Sequence, residues 1–171
     1  MPNAISRLLA PLLASLAVCA CAAPPSPPPP YAGADFSGSV DATDIGLPLY
    51  PGARLVSPHD GGDKPALNVS IWGGSLGFRL AVVKLQSDAP IAEVARFYRS
   101  AMARRGPWRD CSQPAAGDGP SCGKGDPPAG GYLFKAGVDD EEIRTVSLSP
   151  QDGGVLIQLV RVAFGRDAAL R

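Results

Sequence analysis

Histidine is nearly missing: His59 is the only one in 171 residues. Catalysis through an imidazole base therefore has a single candidate, and a histidine-rich metal site has none. An excess of one charge is missing too. Sixteen basic and sixteen acidic residues cancel, so the chain lacks the basic footprint of a nucleic-acid binder, and no nucleic-acid partner is expected. Aromatic residues make up only 6%. The apolar run at residues 8–18 (LLAPLLASLAV) stops well short of the roughly 20 residues that a membrane-spanning helix needs. Cysteine is limited to Cys19, Cys21, Cys111 and Cys122. Glycine and proline, with 20 and 19 copies, are plentiful, which points to turns, rigid leashes and a long loop.

The cysteines sort by position. Residues 1–7 form a short n-region whose one positive charge is Arg7, the apolar run follows, and the small residue Ala20 precedes Cys21. Val18-Cys19-Ala20-Cys21 in this setting resembles a bacterial lipoprotein signal, in which a Leu/Val-x-Gly/Ala-Cys box is cut just before the cysteine. The resemblance implies that residues 1–20 are removed and that Cys21 is acylated on its sulfur and its new amino group. Its partner would then be the membrane, held through the acyl anchor. Ala22 after that cysteine resembles the sorting signal for the outer membrane. Cys19 is the alternative lipidation residue, although Val18 is bulky where the box wants a small residue. Cleavage near Ala20-Cys21-Ala22 as an ordinary secreted protein is the other open alternative.

Removal of Arg7 leaves 15 basic against 16 acidic residues, a net charge of −1. In an oxidising compartment Cys111 and Cys122 are expected to pair as a disulfide. That pairing leaves Cys19 and Cys21 without structural work. Cutting at Cys21 then leaves no unpaired thiol, whereas cutting at Cys19 strands Cys21 on an exposed linker.

Residues 21–44 read as a linker. Residues 24–30 (PPSPPPP) are dominated by proline, which fixes φ and removes the amide donor, so they favour an extended polyproline II rod. Residues 31–44 are small, polar and acidic without periodicity, which suits disorder. The domain is expected over 45–171. The turn chemistry of Pro51-Gly52 precedes short strands at 54–56, 66–72 and 78–85, with Gly73-Gly74-Ser75 as a hairpin turn. Asp88 and Pro90 open one helix, whose apolar residues Ile91, Val94, Ala95, Phe97, Tyr98, Ala101 and Met102 recur at helical spacing. Arg104 and Arg105 are expected in its last turn, and Gly106 stops it. A loop over 112–130 follows. Strands at 132–136, 143–149 and 155–164 finish the chain. The expectation is an α+β two-layer sandwich: an antiparallel sheet of about five to six strands with one amphipathic helix across one face, in the order β-β-β-α-β-β-β.

Tyr50-Pro51-Gly52-Ala53, Asp88-Ala89-Pro90, Phe97-Tyr98-Arg99, Gly106 and Trp108 resemble a group of small exported bacterial domains of unknown function. The resemblance implies the same fold class and adds no activity.

Candidates for chemistry are few. His59 sits in Ser57-Pro58-His59-Asp60, but a catalytic triad is set by geometry and not by neighbours in sequence. Gly73-Gly74-Ser75-Leu76-Gly77 lacks the lysine of a phosphate loop and stands between strands. Asp139-Asp140-Glu141-Glu142 lacks the alternating spacing of a calcium loop and reads as a solvated turn. Trp72 and Trp108 could flank one groove. The set Arg96, Arg99, Arg104, Arg105 and Arg109 is the candidate partner-binding surface, suited to an acidic protein or an anionic envelope component. No cofactor, metal or catalytic residue is expected. The expected function is a non-enzymatic interaction or structural module of the cell envelope, anchored and facing the periplasm. A periplasmic small-ligand-binding domain and a small hydrolase using His59 and the acidic cluster are the alternatives.

Overall fold

Among the described residues eight antiparallel strands form one open sheet, and two helices lie on one of its faces. The computed structural model describes residues 32–56, 64–113, 118–123, 126–139, 141–165 and 168. The order along the chain is β1 (Ala32–Ser37), α1 (Ala42–Ile45), β2 (Arg54–Leu55), β3 (Ala66–Gly73), β4 (Leu76–Ser87), α2 (Ile91–Ala103), β5 (Trp108–Asp110), β6 (Tyr132–Val138), β7 (Glu142–Gln151) and β8 (Gly154–Phe164). In space the strands run β1-β3-β4-β8-β7-β6-β5, with β2 pairing the far end of β4. The expected α+β class and antiparallel sheet are therefore present. Among the described residues the strands number eight instead of five to six, and the helices two instead of one.

Three differences have local causes. Residues 32–44, expected as the end of a disordered linker, carry β1 and all of α1 but its last residue, Ile45. β1 (AGADFS) has no apolar alternation, but it pairs along most of the free edge of β3, from Ala32 opposite Gly73 to Ser37 opposite Asn68. α1 is only four residues long, yet Asp41 caps it by accepting from the amides of Thr43 and Asp44, and the Asp44 carboxylate returns to the Asp41 amide. Asp88 does not cap α2. Pro90 takes that position, and Asp88 pairs with Arg54 instead. Arg104 and Arg105 fall just beyond the helix, not in its last turn.

The core lies between the sheet and the helices. Alternation in the strands places Val83 and Leu85 (β4), Ile157 and Leu159 (β8), Val146 and Leu148 (β7), and Phe134 and Ala136 (β6) on the covered face. The helix stripe Val94, Ala95, Tyr98, Ala101 and Met102 packs onto them, joined by Ile45 and Leu47 at the end of α1. α2 lies over β5, β6 and β7, and α1 over β4 and β8. Arg161 shares the face of Ile157 and Leu159. Ala163 also falls on that face, not on the face of Leu156 and Val160.

The opposite face has two unlike halves. At the β6 and β5 end, the segment between Cys111 and Cys122 is hooked over it: Arg109 donates to Gly119 O (3.2 and 3.4 Å), and Lys135 Nζ donates to Ser121 O and Cys122 O (3.1 and 2.9 Å). Leu133, on this side of the sheet, is buried there. Across β1, β3, β4 and β8 no described residue covers the strands. Cross-strand partners form apolar rows: Ala34-Ile71-Phe78-Phe164, then Phe36-Val69-Leu80-Val162, then Leu67-Val82-Val160. Phe36, Ile71, Leu76 and Phe164 are all exposed.

Candidate functional site

The five arginines expected on one surface are divided among four places. Arg96, Ser100 and Arg104 recur every fourth residue, which aligns them along one side of α2. With Tyr50, Pro51, Glu93 and Phe97 they line a groove of about 590 Å3. Its floor is aromatic: the rings of Phe97 and Tyr50 meet edge to face at 5.2 Å, and Tyr98 lies edge-on behind Phe97 at 5.0 Å. Tyr50 closes one end by donating its hydroxyl to Glu93 Oε1 at 3.0 Å. Burial, and then the Glu93 carboxylate, raise the Tyr50 pKa, so its proton stays in that bond. The groove thus joins a ring surface to two exposed guanidinium groups.

Arg99 points to the other side of the helix. Its Nε and Nη2 both donate to Asp110 Oδ2 at 3.2 Å, and its guanidinium stacks over Tyr132 and Phe134, 5.1 and 5.4 Å from the ring centres. Asp110 is buried, and its Oδ1 accepts from the Ser112 amide at 3.0 Å. Arg99 is thereby fixed to β5 and to the first residues of the disulfide loop. It lines a second cleft of about 480 Å3 with Pro107, Trp108, Asp110 and Gln113. Arg109 holds the loop, as described above. Arg105 lies apart, beside Ala42, Gly46 and Pro48. Only Arg96 and Arg104 share one exposed site.

Cys111 and Cys122 are bonded, with Cα atoms 5.6 Å apart. Trp72 and Trp108 do not flank one groove. They lie on β3 and β5, towards opposite edges of the sheet, where Trp72 covers Gly33 and Trp108 packs edge to face with Phe134.

A cluster that the sequence reading passed over lies beneath α1. Arg79, Arg144 and Arg161 project from β4, β7 and β8 on the covered face, where each is mostly shielded. Arg79 pairs with the Asp44 carboxylate, Arg161 donates to Asp44 O and Glu142, and Arg144 donates to Ile45 O and Glu142. The carbonyls that end α1 thus receive guanidinium donors, which suits the negative end of a helix. Burial lowers the Arg144 pKa, with the neighbouring Arg161 and Arg105 acting in the same direction. The signal was in the sequence: each arginine stands in strand phase with core residues, Arg79 with Ala81 and Val83, Arg144 with Val146 and Leu148, Arg161 with Leu159. Its geometry is that of a clamp that seats α1 on the sheet.

The chain matches no protein-family model, no curated protein and no solved structure.

The remaining candidates do not converge. His59, with Ser57 and Asp60, lies outside the described residues, as do Cys19, Cys21 and the proline-rich segment. Gly74 and Ser75 make the tight turn between β3 and β4. In the acidic run Asp139 accepts the Ser121 amide and Glu142 serves Arg144 and Arg161, while Asp140 is outside the described residues. Among the described residues no three of His, Cys, Asp and Glu come together as a metal site, and no helix is long and apolar enough to cross a membrane.

Proposed function

We propose that the protein is an exported lipoprotein of the bacterial envelope: a non-catalytic docking domain held to a membrane by acylated Cys21 and facing the periplasm, with the outer membrane as its destination. The observation that carries this reading is the short apolar run ending in Val18-Cys19-Ala20-Cys21. The Cys111–Cys122 bond supports it, because such bonds persist in oxidising compartments. The spacing supports it too. Ten residues separate Cys21 from Ala32, the first residue of β1, and as a polyproline II rod they reach about 31 Å. Two or more acyl chains inserted together give stable anchoring. The docking element is the groove with Arg96 and Arg104, whose charge and ring surface suit an acidic protein or an anionic envelope component.

The experiment is metabolic labelling with a palmitate analogue in cells that express the full chain. Wild type and Cys19→Ser take up the label, and Cys21→Ser does not. An unlabelled wild type rejects the anchor, and a labelled Cys21→Ser protein moves it to Cys19.

A periplasmic ligand-binding domain with a pocket between helix and sheet is less well supported, because Tyr98, Met102, Phe134 and Leu148 fill that space. The hydrolase reading depends on His59, which lies outside the described residues.

A further inference from the structure

We infer that the bare half of the sheet is the interface of a symmetric homodimer, in which two copies stack these faces on each other. The inference rests on the sheet alone and holds whether or not Cys21 is acylated.

The area comes first. Phe36 is 72% exposed, Leu76 66%, Phe164 51%, Ile71 41% and Leu67 36%. With the half-buried side chains between them they leave about 800 Å2 of apolar surface in water, above the roughly 300–600 Å2 of the largest patch on a typical monomer. It is also about what each partner contributes to a stable interface.

The chemistry favours a second copy over other occupants. The three cross-strand rows, two starting on β1 and one on β3 and all ending on β8, contain no charged residue. At the margin stand Lys84 opposite Gln158 on one side and Thr145 opposite Val160 on the other, while Ile143 opposite Val162 carries the second apolar row on to β7. An uncharged centre with a polar rim is the anatomy of a protein interface. A membrane-surface site would want a ring of cations around the apolar centre; Lys84 stands at one margin, while Arg96 and Arg104 lie on the helix layer, on the other side of the sheet. A face with no charge at its centre meets itself without repulsion, so it can serve both sides of a two-fold contact. Antiparallel sheets stack face to face at about 10 Å with strands near alignment, which turns two open sheets into one sandwich. The hooked disulfide loop occupies the β6 and β5 end, so the partner is confined to β1, β3, β4 and β8.

The test places a photo-crosslinking amino acid at Phe36 or Leu76 of the full chain in intact cells, with Ala92 on the outer side of α2 as control. Light should give an adduct of twice the chain's mass from Phe36 and Leu76 and none from Ala92. Leu76→Glu with Phe164→Glu should cut the Phe36 adduct roughly tenfold or more while the disulfide still forms. Ala34→Lys, at an exposed edge position, is an independent disruptor that leaves the core untouched. A homodimer adduct undiminished by both sets of changes overturns the interface. So do adducts with lipid alone, which would put the face on a membrane, or no adduct at all.

Discussion

Asp110 is the side chain on which the β5 margin turns. One carboxylate takes two donors from Arg99 and one from the Ser112 amide. In Asp110→Ala those donors lose their acceptor, and the Arg99 charge stays beside two rings. The pair is partly open, with the Arg99 side chain 36% exposed, so water softens the loss. A destabilisation of about 1–3 kcal/mol is expected in urea unfolding. Asp110→Asn, which can still accept from the amide, should lie between this variant and wild type. Asp41 offers a pH-dependent counterpart. Its pKa falls below 3.8, first because the Thr43 hydroxyl donates to it and then because the Asp44 and Thr43 amides do. A carboxylate with a depressed folded pKa contributes stability above its unfolded value and loses it as pH falls through the folded one. Asn also caps helices but does not titrate. Wild type should therefore melt above Asp41→Asn at neutral pH, and the gap should close as pH falls below 3.8. A gap that persists in acid would remove ionisation as its source.

The loop between Cys111 and Cys122 and the margin of β6 test how local chemistry sets larger pieces. The disulfide closes a loop of eleven residues' separation, and in the chain-entropy model its loss costs about 3 kcal/mol. Cys111→Ser with Cys122→Ser should lower stability by that amount and expose Leu133, seen as faster amide exchange at Leu133 and Lys135. Gly137 has φ 122°, and a Cβ there would stand 1.9 Å from Glu142 O. Gly137→Ala should cost more than about 2 kcal/mol by equilibrium unfolding, because both the backbone and the neighbouring strand must shift. These pieces were unevenly legible. The apolar stripe of α2 and the alternation of β3, β4, β7 and β8 declared themselves, since each buries a periodic face. β1, α1 and β5 did not. β1 exists because β3 has a free edge, α1 because Asp41 and Asp44 cap four residues over an arginine clamp, and β5 because Trp108 and Asp110 find partners on β6 and α2. None of these causes is a periodicity.

The same limit explains the arginines. Sequence brought Arg96, Arg99, Arg104, Arg105 and Arg109 together by proximity along the chain, while the fold assigns them by direction from the helix and the sheet. Helical spacing alone puts Arg96 and Arg104 in one row and turns Arg99 away. Only the arrival of β5 makes Arg99 a structural partner, and only the disulfide loop does so for Arg109. The two kinds separate in one experiment. Arg96→Glu with Arg104→Glu changes exposed side chains for which no ion pair is found among the described residues, so stability should move by no more than about 0.5 kcal/mol per site. Arg99→Glu places a carboxylate against the buried Asp110 and should cost about 3 kcal/mol or more. Thermal melts of both variants beside wild type provide the measurement. If the double variant melts as low as Arg99→Glu, the groove arginines are structural and the docking surface loses its two cations. If Arg99→Glu melts like wild type, the Arg99–Asp110 pair does not hold α2 to β5, and Arg99 returns to the exposed set beside Arg96 and Arg104.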